Sequence, residues 1–86
     1  MKSVAKTVTT TPSIVVAPDD KHRTVYIHVV GAGVVYLGGS DVTSTNGLLT
    51  EKHAVPLNLV VPFNETVWAV TATGTENLRL LTPDVD

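Results

Sequence analysis

Between Arg23 and Val30 the chain alternates cleanly, with Val25, Ile27 and Val29 on one face and Thr24, Tyr26 and His28 on the other. That period of two is the mark of a half-buried strand. Gly31-Ala32-Gly33 separates it from Val34 to Leu37, a spacing that predicts a glycine-dependent hairpin with the two strands antiparallel. Pro56 to Val61 alternates Leu57, Leu59 and Val61 against Asn58 and Val60, and Pro62-Phe63-Asn64-Glu65 reads as the following turn. Thr66 to Ala72 and Asn77 to Thr82 are two more strands, joined by Thr73-Gly74-Thr75-Glu76 as a second hairpin candidate. Ahead of these lie Val4 to Thr11, rich in Val and Thr and ended by Pro12, and a brief strand Ser13 to Ala17 closed by Pro18-Asp19-Asp20-Lys21. Ser40 to Asn46 carries Ser, Asp, Thr and Asn side chains that bond their own backbone, so it reads as loop, with Asn46-Gly47 a turn. No helical periodicity of useful length interrupts the series. The pattern predicts an all-β chain: a small single-domain antiparallel β-sandwich or barrel over residues 13–86, with an extended N-terminal arm over residues 1–12.

Several strands are apolar on both faces. Val67 and Ala69 oppose Trp68, Val70 and Ala72, while Leu80-Leu81 and Val60-Val61 must point to opposite sides. Trp68 therefore admits two readings, an anchor of the core, for which large rings are scarce, or an anchor of an interface. More apolar faces exist than one small core requires, which predicts a partner or a self-association surface.

Composition narrows the function. The chain has 86 residues and no cysteine, so disulfides, thiolate metal sites and a catalytic thiol are excluded. One Trp, one Phe and two Tyr are its only large rings; small folds of this kind often gain stability by oligomerising. A formal charge of −2 gives no electrostatic footprint for nucleic acid. No apolar run is long enough to span a membrane and the N-terminus lacks a signal-peptide core, so the protein is expected to be made in the cytosol. His22, His28 and His53 are spaced without a zinc pattern and read as surface histidines. Ser40 beside Asp41 lacks the context of a nucleophile elbow. Asp19-Asp20 and Asp84/Asp86 sit in a turn and a tail rather than across a cleft. Asp41 and Asn46 lack the ligand ladder of a calcium loop, and the glycines at 31, 33, 38 and 39 precede no helix that could hold a phosphate. The expectation is a protein that is not an enzyme and uses no cofactor or metal.

Val35-Tyr36-Leu37-Gly38-Gly39-Ser40-Asp41-Val42-Thr43, then Asn46-Gly47, the strand Pro56-Leu57-Asn58-Leu59, Val67-Trp68-Ala69-Val70-Thr71-Ala72-Thr73-Gly74-Thr75 and a last Leu78-Arg79-Leu80 together resemble a group of small phage virion proteins. These are the β-sandwich capsid decoration, or head cementing, proteins of tailed phages that infect actinobacteria, and similar modules occur on other virion parts. The resemblance covers roughly residues 23 to 82 and leaves the first twenty outside. It implies a virion protein that binds the outer surface of the expanded head and bridges subunits of the major capsid protein as a homo-oligomer, with a trimer favoured. In that setting the arm, through Val4, Lys6, Val8 and Thr10, could add a strand to a neighbouring copy or to the shell, and Tyr36 and Trp68 are further interface candidates. The alternatives are a tail- or fibre-associated module binding host surface glycans through Tyr36, Trp68 and the Ser40 to Asn46 loop, and a lectin-like or assembly module outside any virus.

Overall fold

The computed structural model describes residues 2–18, 20–52 and 57–82. Among these no helix forms, and eight strands follow in order: β1 Lys2–Val8, β2 Ser13–Val16, β3 Arg23–Val29, β4 Val34–Gly38, β5 Leu48–Glu51, β6 Leu57–Val61, β7 Val67–Val70 and β8 Glu76–Thr82. They make two four-stranded sheets, β1-β8-β3-β6 and β2-β7-β4-β5, with every pairing antiparallel. The expected β-sandwich is therefore what the chain forms. Its principal pairs are nested, β1 with β8, β2 with β7, β3 with β6 and β4 with β5. This is one long hairpin rolled over itself, the winding of an eight-stranded jelly roll.

Nesting changes two expected connections. Gly31-Ala32-Gly33 does not close a hairpin, because β3 and β4 lie in different sheets, and neither does Thr73–Glu76 between β7 and β8. Three extended residues reach roughly 10 Å, which matches the distance between packed sheets, so a short glycine-bearing link serves as a crossing as readily as a turn. The hairpin that does form is β4–β5, around residues 39–47. β5 was not foreseen, because its polarity is inverted: Leu48 and Leu49 are exposed while Thr50 is buried beside Val35.

Residues 2–8, expected as an arm, are extended and lie along β8 through the whole of β1, from Lys2 opposite Thr82 to Val8 opposite Glu76. Only the outward edge of β1 is left open. The alternation read from the sequence places Val25, Ile27 and Val29 in the core with Val35, Leu37, Leu78 and Leu80, as β3 and β8 lie side by side. Val8 has no exposed surface and belongs to the same cluster.

Two polar clamps close the ends of the sandwich. Arg23, only 8% exposed, begins β3 and donates from Nη2 to the carbonyls of Ala17 and Glu65 and from Nη1 to that of Lys21. It ties the β2–β3 and β6–β7 connections together. Thr71, just after β7, donates its hydroxyl to the Val34 carbonyl at 2.9 Å and its amide to the Thr9 carbonyl at 2.9 Å. The turn expected at Pro62–Glu65 is present, closed by the Glu65 amide on the Pro62 carbonyl, with Asn64 at φ 63°. Asn is among the few residues that take that conformation at low cost.

Candidate functional site

The outer face of the β2-β7-β4-β5 sheet gathers the side chains that the sequence left ambiguous. Ile14, Trp68 and Gly38 lie in one cross-strand row, and Tyr36, Val70 and Leu49 in the next. Trp68 is half-buried on this outer side, while its neighbours Val67 and Ala69 point into the core. The core reading of Trp68 is thus set aside. Its indole N–H donates to the Thr66 hydroxyl at 3.1 Å, which fixes the ring against its own strand. Tyr36 and Trp68, which no sequence spacing relates, become diagonal neighbours on adjacent strands, within reach of one another for aromatic side chains.

The β4–β5 loop folds back onto part of this face. Val42 is buried over Gly38, where any Cβ would stand 2.9 Å from a Val42 methyl carbon, and Gly47 packs so closely that its Cβ would meet the Tyr36 Cβ at 2.5 Å. Two of the loop's polar side chains, Thr43 and Asn46, bond the loop's own backbone, as expected of such a segment. Asn46 Oδ1 accepts from the Thr43 amide at 2.8 Å and from its hydroxyl at 3.2 Å, and Thr43 Oγ1 accepts from the amides of Thr45 and Asn46. What remains on the face is Ile14, the exposed part of Trp68, Tyr36 and Leu49, the last 55% exposed.

A second apolar surface adjoins it where the edge strands β5 and β6 leave the sandwich open. Leu37, Leu48, Leu59, Val60 and Val67 line a concavity of about 300 Å³ there. Val60 is 64% exposed and Leu48 54%. The side chains foreseen on the arm divide differently: Val8 is in the core, Val4 is half-buried against it, and Lys6 and Thr10 are exposed. Val8 therefore has no surface to offer a partner. The sequence signal for the seam was the pair Val60-Val61, one pointing out and one in. Leu48 and Leu49 were missed with β5.

No constellation suited to chemistry accompanies these surfaces among the described residues. Among the described residues no three His, Asp or Glu side chains converge. His22 is exposed and stacks edge-on against Phe63, centroids 5.3 Å apart; His28 is half-buried on β3; His53 lies outside the described residues. Ser40 and Asp41 are exposed in the loop. No protein family, curated protein or solved structure matches this chain.

Proposed function

We propose that the chain is a non-enzymatic capsid decoration protein, which binds the outer surface of an expanded phage head and stabilises it by bridging major capsid protein subunits. One observation carries the reading: apolar surface left over once a complete core is built, spread over two adjoining sides of a very small domain. Surfaces of this kind mark sites of association. Two of them suit two kinds of contact, the seam of Leu48, Leu59 and Val60 for copies around a threefold axis, and the Ile14, Trp68, Tyr36 and Leu49 face for the shell. Many weak contacts made at once would hold the head by avidity, with no chemical step. The jelly-roll winding agrees with a virion setting, although that winding also serves lectin and cupin domains and decides nothing alone. Its placement in the virion rests on the sequence resemblance.

The test is the copy number of this protein in purified virions, measured by quantitative mass spectrometry against the major capsid protein. About one copy per capsid subunit is expected. A handful of copies would move the protein to a vertex or the tail, and none would discard the virion reading.

A further inference from the structure

The outer face of the other sheet is chemically different. On it, Ser3, Leu81, Tyr26 and Asn58 form one cross-strand row, and Ala5, Arg79 and His28 the next. The small side chains of Ser3 and Ala5 on β1 leave room beside the larger ones on β3 and β8, and Ser3, Ala5, Tyr26, His28, Arg79 and Leu81 line a groove of about 480 Å³. That is within the range of small-ligand sites, about 300–1,000 Å³, and well above what a single inorganic ion needs.

One polar group in the groove lacks a partner and a second is weakly held. His28 Nδ1 is buried and makes no hydrogen bond, an uncommon state for a buried polar atom. Arg79, directly opposite His28, makes only a long contact of 3.4 Å to the carbonyl of its neighbour Leu78, and no carboxylate among the described residues pairs with it. The guanidinium is a fork of donors shaped for a carboxylate. Beside it, the exposed ring of Tyr26 and the side chain of Leu81 offer an apolar wall, with the Ser3 hydroxyl in the same row.

We infer that this groove binds an acidic sugar, a uronic acid residue free or at the end of a glycan. Its carboxylate sits on Arg79, with His28 Nδ1 as a second donor once Arg79 swings onto the ligand. The C–H face of the pyranose lies on Tyr26 and Leu81, and its hydroxyls meet Ser3. A bare anion leaves the apolar wall unused, and a neutral sugar leaves Arg79 unpaired. The site lies on the sheet opposite the Trp68 face and does not depend on the assembly role.

The test is NMR titration of the full chain with D-glucuronate, and in parallel with D-glucose, acetate and inorganic phosphate. Glucuronate is expected to give saturable amide shifts centred on Tyr26, His28, Arg79 and Leu81, and to bind more tightly than the three controls. Arg79→Gln should weaken it by about tenfold or more, the loss of one charge-assisted contact. Arg79 is exposed, so the fold should survive; if it does not, Tyr26→Ala replaces it with the same expectation. The inference is overturned if glucuronate gives no saturable shifts, if glucose, acetate or phosphate binds equally well, or if the folded variant binds like the parent.

Discussion

Replacing Arg23 by Met asks whether a buried cation in this sandwich stabilises it or merely survives there. The substitution keeps an unbranched apolar stem in place, so packing along the stem is largely retained, while the three bonds to the carbonyls of Ala17, Lys21 and Glu65 disappear. A hydrogen bond to a charged group contributes about 1.5–3 kcal/mol net. The bond to Ala17 is counted once at that value, and those to Lys21 and Glu65, both 3.4 Å, add little. All three carbonyls belong to exposed residues, so water can replace much of what is lost. Against this, removing a buried charge recovers its desolvation cost. The balance predicts a loss of about 2 kcal/mol, or roughly 8–16 °C in Tm for a domain of this size. Urea unfolding followed by circular dichroism measures it, and hydrogen exchange should show the gain in opening confined to residues 17–22 and 62–66. If Arg23→Met leaves stability unchanged or raises it, desolvation outweighs the carbonyl bonds and the clamp is not a stabilising device.

Trp68→Ala should cost only about 1–2 kcal/mol of folding stability, because the ring is half-buried, yet weaken self-association or shell binding clearly in light scattering or capsid pelleting; a cost of 3–5 kcal/mol with association intact would make the ring a core element after all. Removing residues 2–8 strips an entire paired strand and the buried Val8 from β8, so a loss of at least about 3 kcal/mol is expected, and an unchanged thermal melt would show that β1 is dispensable. Gly47→Ala must push the Tyr36 Cβ or the Thr43 carbonyl aside and should cost about 1–3 kcal/mol, read as a lower urea midpoint with an unchanged slope.

Strand positions were largely legible because the alternation in β3, β6 and β8 is strong and the turn at Pro62–Glu65 uses a residue suited to its φ. Pairing was not legible. In a nested winding the partner of each strand lies far along the chain, so Lys2–Val8 gave no sign of Glu76–Thr82, and short glycine-bearing links looked like hairpins while crossing between sheets. β5 was hidden because Leu48 and Leu49 face solvent and Thr50 faces in, the reverse of the pattern that marks a strand. The excess of apolar faces could be read, but Trp68 has apolar neighbours on both sides, and only the register of β7 against β2 and β4 decides which way its ring points. The Arg79–His28 juxtaposition had no sequence signal at all, since it arises from the β3–β8 register.

The same winding bears on why the exposed apolar surface is there. β4 and β5 are the one principal pair that is local in sequence, and their loop closes on its own hydrogen bonds and on Val42 packed against Gly38. Local pairs form ahead of distant ones, so this tip is expected to form early, carrying Tyr36, Leu48 and Leu49 exposed while the three longer-range pairs are still open. Exposed apolar residues on an edge strand invite mispairing and aggregation. β1, the longest edge of the sandwich, carries Lys2 and Lys6, the usual protection; β5 and β6 present Leu48 and Val60 at the seam, and β5 presents Leu49 on the adjoining outer face, with no lysine among their own residues. A surface left in that state after folding gains nothing for a solitary domain, but it suits the proposed assembling subunit, in which specific contacts would bury the leucines left unprotected against chance ones. On this account, Leu49→Lys should leave the fold and its stability nearly unchanged, because the side chain is outside the core, and abolish association. Retained association would detach the Ile14, Trp68, Tyr36 and Leu49 face from any assembly role.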